Sequence, residues 1–263
     1  MQKLPTVLVL SGLDPSGGAG MQADIQAITA LGAHPLPVLT CLTVQDTRNV
    51  YASVAVDPDL LRRQLLCLRD DIQIDAVKMG ALGNAAVVEV LVEFFRSQPP
   101  CPLVLDPVIK AAGGGDLADD ALIASMRDKL FPRATVITPN GPELAILGGA
   151  AQPALSAEKL IKKGCPAVLA TGGHGDTPLI NNVLYRRDLE PLSWSLPRKG
   201  GEYHGSGCTL AAALSAGLAR RQSLTEAIEG AQLYVGAAID RALRVGRGQP
   251  VPYRGPNMRG ARE

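Results

Sequence analysis

Short apolar runs alternate with stretches of helical period along the first two thirds of the chain. VLVL at 7–10, PVLTCLTV at 37–44, DAVKMG at 75–80, PLVLDPV at 102–108, ATVITPN at 134–140 and AVLATGG at 167–173 have the length and Val, Leu and Ile content of strands buried on both faces. Between them, 60–70, 85–95 and 119–130 repeat apolar positions every three or four residues, and Met21, Ile25 and Ile28 do the same before a helix stop at Gly32. Strand and helix in alternation predict an α/β fold, a mainly parallel sheet with helices on both faces. A more polar pair, NVLYRR at 182–187 and EPLSWSLP at 190–197, predicts an antiparallel hairpin at the sheet edge. The rest reads as helix: 209–220 is rich in Ala, and Ser223 with Glu226 forms an S-x-x-E capping pattern.

Composition narrows this picture. Apolar residues make up 46% of the 263, yet only three are Phe and one is Trp, so the core must be built from Ala, Val, Leu and Ile. No linker, repeat or composition break divides the chain, which is expected to form one domain over residues 1–263. A net charge of +1 gives no electrostatic footprint for nucleic acid or an anionic membrane. The local excess of arginine at Arg244, Arg247, Arg254, Arg259 and Arg262 reads as a solvated tail, loosely held from about residue 248. The cysteines Cys41, Cys67, Cys101, Cys165 and Cys208 are odd in number and form no C-x-x-C pair. That argues against a disulfide framework or a structural zinc, and a reducing cytoplasm is the expected location. The first residues lack a signal-peptide apolar region, and no apolar run approaches the roughly 18 residues of a membrane span.

Chemistry is expected where the strands end, because open parallel sheets bind ligands beyond the carboxyl ends of their strands. Those ends carry Gly12 and Asp14, Gln45 and Asp46, Lys78 and Gly80, Asp106, Asn140 and Glu143, and Thr171, Gly172 and Gly173. Each alone is ordinary loop chemistry, and Asp106-Pro107 or Asn140-Gly141 would pass as a structural turn. Their joint placement on one edge favours a site. SGLDPSGGAG at 11–20 places four glycines between a strand and a helix, where backbone can come close to a ligand. HGSGCTL at 204–210 precedes the Ala-rich helix, so the N–H groups of Ser206, Gly207 and Cys208 can share an anion-binding concavity. A plain glycine-rich helix entry fits the same residues. At a helix N-terminus Cys208 is expected to have a depressed pKa and a reactive thiol, while the other four cysteines read as packed small hydrophobes. Walker, Rossmann, zincin and nucleophile-elbow patterns are absent, and His34, His174 and His204 read as loop or hydrogen-bonding histidines.

In combination, SGLDPSGGAGMQADIQA, LTVQDT, VKMGALG, VLDPV, ITPNGPEL, TGGHGD and HGSGCTLAAALSAGLA, spanning 11 to about 220, resemble the hydroxymethylpyrimidine/phosphomethylpyrimidine kinases of thiamine biosynthesis. The resemblance implies a ribokinase-like three-layer α/β/α fold. It also implies ATP-dependent phosphorylation of 4-amino-5-hydroxymethyl-2-methylpyrimidine to its monophosphate and then its diphosphate. By the same resemblance Gly12, Asp24, Gln45 and Ala81 would bind the aminopyrimidine, and Asp106 and Glu143 would hold Mg²⁺. Asn140, Thr171, Gly172 and Gly173 would flank ATP, and Gly205, Ser206, Gly207 and Cys208 would act at the transferring group. Asp24 read on its own is a helix-dipole partner. A soluble cytoplasmic homodimer is implied as well. Departures from the family pattern fall at Ala81, where many relatives have Met, and at Ala112, where many have Lys; Lys110 lies two residues earlier. Two alternatives remain open: a pyridoxal kinase, and a pyrimidine-binding regulator without catalysis.

Overall fold

Continuous burial along the apolar runs explains the architecture. In a computed structural model, which describes residues 3–110, 114–173 and 177–255, they pair into one sheet. Its parallel strands are β1 (Thr6–Leu13), β2 (His34–Gln45), β4 (Ala76–Met79), β5 (Leu103–Leu105), β6 (Val136–Ile137) and β7 (Ala167–Ala170). An antiparallel β3 (Val50–Ala55) closes one edge, and the expected hairpin, β8 (Leu179–Arg186) and β9 (Leu189–Pro197), closes the other. The order is β3-β2-β1-β4-β5-β6-β7-β8-β9. The strand order therefore reverses between β1 and β4, the switch point at which a crevice opens beyond the strand ends.

Successive residues of a strand point to opposite faces, and both faces of β1 are apolar. Leu8 and Leu10 face α2 (Pro58–Asp71) and α3 (Ala85–Ser97), in a core that extends to α4 (Asp120–Ser125), α5 (Gly141–Gly148) and α6 (Pro153–Lys162). Val7 and Val9 face α1 (Gly20–Ala30) and α7 (Ser206–Ala219), with α8 (Leu224–Asp240) beside them. Each fully buried Leu or Val contributes about 1.5–3 kcal/mol. Helix α7 is buried continuously from Thr209 to Ala219, which its Ala, Gly and Ser content permits by letting the sheet, α1 and α8 approach closely. Helix α8 opens with the expected capping box between Ser223 and Glu226.

Three expectations change. Strand β3, VYASVA, was not among the expected strands; it is apolar at five of its six positions, yet four of the six are exposed. The helix expected over 119–130 ends at Ser125 and continues as a π turn, Met126–Leu130, then a 3₁₀ turn, Phe131–Arg133. The arginine-rich end is not a loose tail as far as residue 255. Leu243 pairs with Val251, the Tyr253 N–H donates to the Ala238 carbonyl, and Arg254 is 2% exposed. Arg244 and Arg247 are exposed as expected; Arg259 and Arg262 lie outside the described residues, as do Ala112 and His174.

Candidate active site

All the parallel strands end on one edge, and the loops that follow them surround a cavity of about 820 Å³. The structure brings Gly12, Gln45, Ala81, Asp106, Asn140, Glu143, Thr171, Gly172 and Gly173 together there with Gly205, Ser206, Gly207 and Cys208. Asp24 is the exception. It lies in α1, fully buried behind the cavity wall, and its Oδ2 accepts a hydrogen bond from Lys78 Nζ at 2.8 Å. An aminopyrimidine edge is therefore not offered this carboxylate directly. Burial opposes the charge of Lys78, but Asp24, with Cys208 and Asp106 nearby, holds its pKa above the ordinary lysine value.

Two glycine loops form the central wall. In the first, Asp14 accepts from the Ser16 and Ala19 N–H groups, both at 2.8 Å, which fixes the turn between β1 and α1. The same carboxylate meets His204 Nε2 at 2.7 Å. Burial pushes Asp14 up, yet the bonds from His204 and Ser16 outweigh it and keep its pKa below the usual carboxylate range. The second loop enters α7 through Gly205 in a left-handed conformation, φ 80°. A Cβ at Gly205 would lie 2.1 Å from the Gly18 carbonyl oxygen, so the loops touch backbone to backbone and only glycine fits. The sequence singled out Asp14 and His204 separately, but 190 positions of separation concealed their pairing.

The first turn of α7 lines the cavity with Ser206, Gly207 and Cys208, and Asp106 lies opposite. A Cβ at Gly207 would be 4.0 Å from Asp106 Oδ2. Asp106 follows β5 and accepts from the Thr138 hydroxyl at 3.4 Å. Glu143 stands in the first turn of α5, where it closes a capping box with Asn140: Glu143 Oε2 accepts from the Asn140 N–H and Asn140 Oδ1 from the Glu143 N–H, both at 2.9 Å. Burial raises the pKa of Asp106 to about 6 and that of Glu143 to about 8, where Asp106 adds repulsion. Cys208 departs from expectation. Burial, with Asp106 and Asp24 adding repulsion against the attraction of Lys78, pushes its thiol up to about 12 instead of down. Cys67 is also exposed and Cys101 half-buried, so the other cysteines are not uniformly packed.

Far from the glycine loops, the cavity is walled by Ile146, Ile180, Leu196 and Leu233, with Asn182 and Gln232 as polar groups. Asn182 accepts from the Gly172 N–H at 2.9 Å and donates to Gln232 at 2.7 Å. Apart from Ile146 in α5, these residues come from β8, β9 and α8, whose own patterns carry no binding signature by which they could have been chosen.

The phosphomethylpyrimidine kinase family model matches residues 14–252. The chain belongs to the phosphomethylpyrimidine kinase family. Hydroxymethylpyrimidine/phosphomethylpyrimidine kinase of Escherichia coli is 36% identical over 250 residues, 92% of this chain and 94% of the relative. Among solved structures, the family's phosphomethylpyrimidine kinase from Clostridium difficile superposes with a TM-score of 0.78 at 30% identity, over 90% of this chain and all of that one. Pyridoxal kinase from Staphylococcus aureus, in complex with AMP-PCP and pyridoxal, superposes with a TM-score of 0.88 at 27% identity, covering 98% and 96% of the two chains. As a member of the family the protein is a phosphotransferase of ribokinase-like fold.

Proposed function

We propose that this kinase transfers the γ-phosphoryl group of ATP to the hydroxymethyl group of 4-amino-5-hydroxymethyl-2-methylpyrimidine, and then to the resulting monophosphate, for thiamine biosynthesis. The observation that carries the reading is the convergence of the α7 N-terminus, Asp106 and Glu143 on one cavity at the sheet's switch point. The N–H groups of Ser206, Gly207 and Cys208, at the positive end of α7, stabilise charge on the transferring group. Lys78 adds a fixed positive charge behind them. Gly12, Gln45 and Ala81 line the side where the flat acceptor lies, and Gln45 donates to Thr43 Oγ1 at 2.7 Å, which orients its amide. The Cys208 thiol, beside Asp106, orients the acceptor hydroxyl, whose proton passes to an oxygen of the transferred phosphoryl group. Thr171, Gly172 and Gly173 border the nucleotide, with the apolar wall of Ile180, Leu196 and Leu233 for its base.

Two buried carboxylates with raised pKa values suit Mg²⁺, which takes one or two protein carboxylates and completes its shell with water and phosphate. Asp106 and Glu143 would hold it, and when bound it would neutralise charge on the phosphates. A cytoplasmic homodimer belongs to the same reading. No helix among the described residues is long and apolar enough to cross a membrane, and β2 and β3 present an apolar face to solvent.

The deciding experiment compares ADP release with hydroxymethylpyrimidine, its monophosphate and pyridoxal side by side. Turnover with both pyrimidines above that with pyridoxal is expected. A preference for pyridoxal would transfer the assignment to the second reading, which the similarity to Staphylococcus aureus pyridoxal kinase favours.

A further inference from the structure

One buried charge near the cavity has no part in the chemistry above. Arg254 follows the last helix, yet its guanidinium lies beneath the two glycine loops. Nε donates to Thr209 Oγ1 at 2.7 Å, and Nη2 donates to the carbonyl of Gly18 at 2.6 Å and those of Gly205 and His204 at 3.4 and 3.5 Å. Thr209 in turn donates to the Gly205 carbonyl at 2.7 Å. Nη1 is buried without a hydrogen-bond partner among the described residues. Burying a guanidinium with one nitrogen unsatisfied is costly.

Fastening the C-terminal segment does not account for that cost, because other bonds already hold it. The Tyr253 N–H donates to Ala238, the His204 N–H donates to Pro250, Tyr234 Oη donates to the Arg254 carbonyl, and Arg241 stacks over the Tyr253 ring at 4.3 Å. Every side-chain donor of Arg254 that has a partner goes instead to the loops or to Thr209 in the first turn of α7. One loop lines the acceptor side, and the other presents the anion-binding N–H groups. A planar fork is suited to hold two carbonyls and a hydroxyl in fixed relation, which a lysine ammonium is not.

We propose that Arg254 is a positioning residue that sets the separation of the Gly17–Ala19 and His204–Gly207 loops, and so aims the α7 N-terminus at the group being transferred. The kinetic part of the proposal rests on the phosphoryl-transfer reading; the structural part does not. Four measurements on the full chain test it in Arg254→Met, Arg254→Lys and Thr209→Val: kcat, nucleotide KM, melting temperature, and amide exchange at 16–20 and 204–209. Arg254→Met is expected to lower kcat roughly 10- to 100-fold, the scale of a small misplacement at a reacting centre, with nucleotide KM within about twofold. Exchange should rise in both loops and stay unchanged in the sheet strands. Arg254→Lys should recover little, and Thr209→Val, which removes one contact and leaves the charge, should fall between. If Arg254→Met does not fold, Thr209→Val alone decides by the same readings. Normal kcat with unchanged loop exchange overturns the proposal. So does faster exchange spread evenly over the whole chain with normal turnover in the folded fraction, the signature of a simple fastening. If the wild-type chain phosphorylates none of the three acceptors, the proposed function fails, while the exchange pattern still decides the role of Arg254.

Discussion

Opposed influences act on the Cys208 sulfur. The dipole of α7 and the ammonium of Lys78 favour a thiolate, whereas burial, Asp106 and Asp24 favour the neutral thiol, and the balance falls near 12. Near neutral pH, iodoacetamide should therefore modify the exposed Cys67 well before Cys208, as read by peptide mass spectrometry. A protonated thiol also serves better to orient a hydroxyl than to remove its proton. Cys208→Ser should keep kcat within about tenfold of wild type, short of the loss of roughly 10² to 10⁴ that follows removal of a general base. Rapid alkylation of Cys208, suppressed by the aminopyrimidine, would restore the thiolate reading. Its position in HGSGC made Cys208 legible as a site residue. Its protonation was not legible, because the carboxylates that set it come from α1 and from the end of β5.

Where β5 and α5 bring Asp106 and Glu143 together, fold and pH become coupled. Both carboxyls have a higher pKa in the fold than in an unfolded chain, near 4. Their contribution is therefore fully present below about pH 4 and is lost as pH rises through about 6 and 8. In EDTA the melting temperature should fall between pH 5 and pH 9 more steeply for wild type than for Asp106→Asn. Mg²⁺ should raise wild-type stability more at the upper end, where no proton has to leave. Equal pH slopes for the two proteins would remove the carboxylate repulsion from the account. The two elements were unequally visible in the sequence. VLDPV reads at once as a strand and its polar end, although β5 keeps only three residues. Helix α5 was hidden because ITPNGPEL looks like a strand running into a turn, although Asn140 and Glu143 have the spacing of a capping box. Strand β3 was missed for a different reason: VYASVA is apolar at five of six positions but has small Ala and Ser where the buried strands have Val and Leu runs, and most of its side chains are exposed.

Across the whole molecule, one edge of the sheet is left with an apolar surface. Leu42 pairs with Val54 and Val44 with Ala52, which puts these side chains on a common face of β2 and β3, with Val44 60% and Val54 62% exposed. A second copy of the chain would cover this face, and sedimentation should find a dimer. Val54→Asp should shift it toward monomer while the melting temperature stays within a few degrees, since the side chain makes little contact within the chain. A wild-type monomer at micromolar concentration would refute the homodimer. The α/β/α layering was readable from periodicity because strands and helices announce themselves locally. The burial of Arg254 was not, since an arginine near a polar chain end looks solvated until distant loops close over it. That placement also sets an order of events in synthesis. Domains fold as units while the chain is being made, and Arg254 follows every strand and helix described here. A ribosome therefore completes the sheet, both loops and α7 before it supplies the side chain that joins them. On the positioning proposal, the two loops of the nascent chain stay unjoined until its last described residues have been made.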